Sequence, residues 1–208
     1  MRFILFVEGY TEKKGVVPFL KRSLDARLSV KVGIKTVRFE GWPEMVKDMP
    51  KKARVHLEGP DRNHIIAVIG LLDLYGPTFY PDNVATIHER LTWAKRYLEE
   101  KVGQARFRMF FAVHEVEAWL LSQPEVFPRE VGQELVWESK RPEEVNFENP
   151  PSKRLEQVYL RKTGRKYKKV VCGSQLFRKL DPENAAGKCP ELKKMLEWML
   201  EMARNAVL

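Results

Sequence analysis

Three short, almost unbroken apolar runs stand in this chain, and each one ends at acidic residues. Phe3-Ile4-Leu5-Phe6-Val7 runs into Glu8, and Ile65-Ile66-Ala67-Val68-Ile69-Gly70-Leu71-Leu72 runs into Asp73. Met109-Phe110-Phe111-Ala112-Val113 runs into His114-Glu115-Val116-Glu117. Short apolar runs bounded by turn or polar residues read as strands buried on both faces of a parallel sheet. In open α/β sheets, sites form in the crevice beyond the carboxyl ends of the strands. Three strands delivering carboxylates to one rim make a pocket of hard oxygen donors, the kind that Mg2+ and Mn2+ prefer.

The segments between these runs carry helical patterns. A helix is predicted from about Thr11 to Ala26, with Thr11 as N-cap and Glu12 in the first turn, where an acid suits the dipole. Val30 to Phe39 alternates as a strand, and Pro43 opens a helix reaching about Leu57. Ile87, Leu91, Ala94, Tyr97 and Leu98 recur at helical spacing inside a predicted helix from about Val84 to Val102. A strand at Phe107–Val113 then leads into a short helix carrying Glu115–Leu121. Alternating strands and helices imply parallel strands joined by right-handed crossovers. The predicted fold is therefore α/β: a parallel sheet of about four strands flanked by helices, with a helical C-terminal extension.

The character of the chain changes beyond Ser122. Pro124, Pro128, Pro142, Pro150 and Pro151 punctuate an acidic stretch, and helical pattern resumes at Ser152–Arg161, around Gln175–Leu180 and at Glu191–Ala206. Leu192, Met195, Leu196, Met199, Leu200 and Ala203 form one apolar stripe, suited to packing on the α/β body. The expected organisation is an α/β domain over residues 1–123. Residues 124–208 would form an acidic connector and a basic helical extension packed on it.

Charge is distributed unevenly along the 208 residues. The net charge is +9, and residues 151–208 hold 14 Lys+Arg against 6 Asp+Glu. A basic section beside a nearly neutral body suggests a surface for phosphates or another polyanion, although a solvated helical face has the same composition. No apolar stretch approaches the roughly 20 residues that span a bilayer. The start runs directly into Glu8-Gly9 without signal-peptide anatomy. Cys172 and Cys189 show no CxxC spacing, which argues against a disulfide or zinc site and for a reduced, cytoplasmic setting.

Four stretches are candidates for chemistry. In Glu8-Gly9-Tyr10-Thr11-Glu12, Glu8 could bind a metal or accept a proton, Gly9 could let the backbone approach a phosphate, and Glu12 could add a second carboxylate. Ordinary strand–turn–helix chemistry explains the same residues. Asp73-Leu74-Tyr75-Gly76-Pro77 either starts a turn or presents a carboxylate that needs a cation or donors once buried. His114-Glu115-Val116-Glu117-Ala118 lacks the second histidine of a zinc-protease helix. On a regular helix Glu115 and Glu117 point to different sides; at a strand–helix junction they could still converge, but one direct ligand is expected from this pair. Pro151-Ser152-Lys153-Arg154 opens a helix whose start could hold a phosphate. Downstream, Arg161, Lys162, Arg165, Lys166, Lys168 and Lys169, with Tyr159 and Tyr167 for stacking or packing, could track a nucleic-acid backbone. No P-loop, GxGxxG turn, serine elbow or Cys–His pair is present, which disfavours NTP hydrolysis and acyl transfer.

Taken in order, these stretches resemble the Toprim clan and, more closely, its domain-of-unknown-function family 4276. The matching segments are Val7-Glu8-Gly9-Tyr10-Thr11-Glu12, Asp73-Leu74-Tyr75-Gly76-Pro77, His114-Glu115-Val116-Glu117-Ala118-Trp119-Leu120-Leu121 and Pro151-Ser152-Lys153-Arg154-Leu155. The resemblance implies a Toprim-like sheet binding Mg2+ or Mn2+ through Glu8, Asp73 and Glu115 or Glu117, with Lys153 and Arg154 stabilising phosphate charge. Relatives include topoisomerases, primases and nucleases that accompany ATPases in phage defence. The function implied is a metal-dependent nuclease or nucleic-acid-processing subunit with nucleic acid and an ATPase as partners. The alternatives are a non-catalytic binding module of an ATPase-linked system and a phosphotransfer enzyme on small substrates. The chain departs from the clan at one point: Asp73-Leu74-Tyr75 stands where the wider pattern has Asp-x-Asp.

Overall fold

A computed structural model describes residues 1–10, 12–144 and 148–207. The expected N-cap Thr11 lies outside the described residues. The sheet has four strands in the order β2-β1-β3-β4, all parallel. They are β1 (Arg2–Val7), β2 (Gly33–Arg38), β3 (Ile65–Asp73) and β4 (Phe107–Ala112). Val7 lies beside Leu71 and Asp73 beside Ala112, so the acidic ends of β1, β3 and β4 share one rim.

Every residue from Phe3 to Val7 is fully buried, because both sheet faces are covered. Ile4, Phe6, Val68, Leu72, Met109 and Phe111 face α2 (Trp42–Glu58) and α3 (Ile87–Val102), where Met45, Met49, Leu91 and Leu98 meet them. Phe3, Leu5, Val7, Leu71, Phe110 and Ala112 face the opposite layer. That layer contains α1 (Val17–Arg27), α4 (Glu117–Leu121), α6 (Pro151–Thr163), α7 (Lys169–Lys179) and α9 (Pro190–Val207). The α9 stripe of Leu192, Met195, Leu196, Met199 and Ala203 is buried in the same apolar cluster as β1 and β3.

Local departures from the predicted elements have physical causes. β2 begins at Gly33, leaving Val30 half exposed in the preceding turn; its alternation is that of a partly covered edge strand. The predicted first helix is a π-helical turn at Glu12–Val16 followed by α1. α3 starts three residues later than predicted because Thr86 and Glu89 form a reciprocal capping box there. Two short helices were not predicted: α5 (Arg129–Glu134) and α8 (Pro182–Lys188) are too brief to show a period.

Candidate metal centre

Strand alternation decides where each acid at the rim points. Glu8 follows Val7 and turns to the face of Phe6, whereas Asp73 follows Leu72 and turns to the face of Leu71. Glu8 is half-buried at the start of α2, and its carboxylate accepts the Trp42 backbone amide. Asp73 lies on the other side, among Glu115 and Glu117. Ligand oxygens of Asp73, Glu115 and Glu117 all lie within 4.8 Å of one another.

Each carboxylate of this triad is set by a different local device. Asp73 Oδ1 accepts the Val116 amide at 3.0 Å, which ties β3 to the turn before α4. Glu115 lies in that turn, before the helix begins, so helical spacing does not separate it from Glu117. Its Oε2 accepts the Ser152 amide at 2.8 Å and its Oε1 accepts the Ser152 hydroxyl at 2.9 Å. The anion at the start of α6 is thus a carboxylate of the chain itself, where the sequence suggested a phosphate. Glu117 opens α4, is fully buried, and neither of its oxygens accepts a regular hydrogen bond among the described residues. Trp119, stacked on Phe19 and edge-on to Phe177, clamps α4 between α1 and α7.

The ammonium of Lys169 stands at the centre of the triad. Its Nζ lies 3.5 Å from Asp73 Oδ2, 3.4 Å from Glu115 Oε1 and 3.1 Å from Glu117 Oε2. Glu12 is buried nearby, with Oε2 lacking a hydrogen-bond partner among the described residues. It folds back over Gly9, where a Cβ would stand 2.6 Å from that oxygen. Gly9 therefore makes room for Glu12, a different service from the phosphate approach expected of it.

Electrostatics follow from this crowding. Burial pushes Glu117 up to about 7, Lys169 opposing it and Glu115 and Glu12 adding to it. Burial also raises Asp73 well above the usual carboxylate range, against the pull of Lys169. Glu8 is raised by burial and by Glu12, while the Trp42 amide lowers it. Burial works to lower Lys169, but Asp73, Glu117 and Glu115 together outweigh it and move it upward. Carboxyl groups outnumber the one ammonium at this site, and the upward shifts of Asp73 and Glu117 express burial together with that imbalance. A hard divalent cation matches these donors in type, all of them carboxylate oxygens, and among the described residues Glu117 has no fixed hydrogen-bond donor.

The remaining sequence candidates lie outside this cluster. Arg154 pairs with Glu138 and, at 3.9 Å, Glu134; Arg161 and Lys162 also pair with Glu134, at 2.5 and 3.0 Å. The acidic connector thus takes up basic charge that the sequence assigned to nucleic acid. Lys153, Arg165, Lys166 and Lys168 are exposed. Tyr159 and Tyr167 are buried against each other, with centroids 5.3 Å apart, and serve packing. Sequence reasoning missed the Ser152–Glu115 contact and the position of Lys169 inside the triad. Both join residues far apart in the chain, and no local pattern signals them.

A parallel four-stranded sheet with acids at one rim and helices on both faces defines the chain as a Toprim-like α/β domain. It belongs to the family described as Domain of unknown function (DUF4276), whose model matches residues 7–200. The C-terminal region of the Burkholderia pseudomallei OLD protein is similar over 99% of this chain and 98% of that chain, with a TM-score of 0.51 and 18% identity. That likeness concerns the fold. The C-terminal region of the Xanthomonas campestris pv. campestris OLD protein is 18% identical over 99% of this chain and 93% of that one, with a TM-score of 0.45. None of the curated proteins compared with the chain matches it. Among the described residues, no helix is long and apolar enough to cross a membrane.

Proposed function

We propose that the chain is a divalent-metal-dependent nuclease or nucleic-acid-processing subunit, acting with an ATPase partner in a phage-defence or mobile-element setting in the cytoplasm. One observation carries the reading: Asp73, Glu115 and Glu117 converge on one point, and among the described residues the buried Glu117 has no hydrogen-bond donor besides an ammonium. Asp73, Glu115 and Glu117 would hold Mg2+ or Mn2+, with Glu12 beside them; Glu8, turned to the other face, would act on the site only through its charge. Bound there, the cation supplies charge neutralisation at a phosphodiester and an activated water. The protein's own part is positioning: Ser152 and the Val116 amide fix two carboxylates, and burial excludes competing water. Exposed Lys153, Arg165, Lys166 and Lys168 would attract the polyanion.

The test is Mn2+ binding and cleavage of DNA and RNA by the full chain. Asp73→Ala and Glu117→Ala should each abolish cleavage and weaken Mn2+ binding at least tenfold, with the far-ultraviolet circular dichroism unchanged. Wild-type protein that binds no Mn2+ and cleaves neither polymer with any divalent cation would sink the proposal. One feature favours a second reading, a non-catalytic binding module: Tyr75 stands where the clan carries another acid. Salt-sensitive nucleic-acid binding that survives both substitutions, without cleavage, would select that module.

A further inference from the structure

We propose that Lys169 is a tethered counter-ion: in the metal-free protein its ammonium occupies the cation position among Asp73, Glu115 and Glu117, and an incoming divalent cation expels it toward solvent. The inference rests on the reading that this triad takes a divalent cation.

Four observations support it. First, the ammonium sits between three carboxylates at 3.1–3.5 Å, and among the described residues no other carboxylate forms an ion pair with it. Second, a divalent cation at about 2.1 Å from the same oxygens would lie within repulsive contact of that ammonium, so the two occupants exclude each other. Third, the remaining contacts of the triad are fixed donors: the Val116 amide on Asp73, and the Ser152 amide and hydroxyl on Glu115. Lys169 is therefore the movable partner. Its side chain is 37% exposed while Glu117 is 0% exposed, so the stem reaches in from solvent and can withdraw the way it came. Fourth, Lys169 is the first residue of α7, where a cation opposes the helix dipole. Its place serves the carboxylates and not its own helix.

Exchange also improves the charge balance. Three carboxyl groups, those of Asp73, Glu115 and Glu117, meet a single ammonium, and a dication can balance more of them than an ammonium does. Metal affinity then includes the cost of displacing Lys169, and the freed amine becomes a signature of the loaded site.

The experiment is lysine acylation of the full-length protein with an N-hydroxysuccinimide acetate, in chelator and in saturating Mn2+, read by peptide mass spectrometry. Modification of Lys169 should rise roughly tenfold with Mn2+, as a ten-to-one population shift requires, while exposed Lys153 and Lys166 stay constant. In parallel, Lys169→Met should bind Mn2+ about tenfold more tightly by calorimetry, and Mn2+ should raise its melting temperature more than that of wild type. Unchanged or falling Lys169 modification, in a wild-type protein that does bind Mn2+, overturns the exchange and leaves the metal site standing. Failure of Mn2+ to bind either wild type or Lys169→Met overturns both. The wild-type labelling decides the matter even if the variant does not fold.

Discussion

Ser152 is the clearest case of one side chain acting through another. Its amide and hydroxyl hold both oxygens of Glu115, and the Glu115 side chain keeps only 8% of its surface exposed. Hydrogen bonds to a charged group contribute about 1.5–3 kcal/mol each, and a residue that orients a metal ligand typically changes affinity about 10–100-fold. Ser152→Ala keeps the amide and loses the hydroxyl. It should lower stability by about 1.5–3 kcal/mol in urea unfolding and weaken Mn2+ binding at least tenfold by calorimetry. At this scale the sequence was only partly informative. Asp73, Glu115, Glu117 and Glu12 stood out because each adjoins a recognisable strand end or helix start. Glu8 stood out for the same reason, yet period-two alternation turned it toward α2 and Trp42. Lys169 carried the right charge in the wrong setting: a run of six basic residues gives no hint that the last one turns inward.

Among elements, the seating of α7 on the π-helical turn Glu12–Val16 decides where Lys169 and Glu12 meet the triad. The contact is close because position 15 is glycine: a Cβ there would stand 2.8 Å from a ring carbon of the fully buried Phe177. Phe177 is wedged against Phe19 and Trp119 and cannot yield cheaply. Gly15→Ala should therefore cost about 1–3 kcal/mol of stability by overpacking and lift α7 away from the turn, with a loss of Mn2+ affinity measurable in the same protein. The strands and long helices were legible beforehand, since unbroken apolar runs and 3.6-residue stripes are strong periodic signals. The π-helical turn was not, because five residues are too few to show a period.

For the whole molecule, charge is shared between distant segments. Glu143, in the acidic connector, accepts the Glu191 amide at 3.2 Å and so caps α9, while Lys95 and Lys194 pair with Glu191. Burial pushes Glu143 up to about 7, reinforced by Glu191 and opposed by the amides it accepts. Its folded value lies above the unfolded one, so the folded state binds the proton more tightly. That contribution to stability is complete below about pH 4.5 and is lost as pH rises through about 7. Glu143→Gln removes this proton exchange, so the fall in unfolding free energy between pH 5 and pH 8 should become shallower than in wild type. A variant with the wild-type slope would show that Glu143 is not the group responsible.

The acids of the rim come from the first 117 residues, whereas Ser152 and Lys169, which hold and neutralise them, arrive later in the chain. A ribosome therefore releases the negative half long before its stabilising complement. Until α6 and α7 have emerged, the nascent polypeptide carries the carboxylates without the geometry that brings them to bear. Whatever chemistry this rim performs, synthesis order delays it until α6 and α7 have been made.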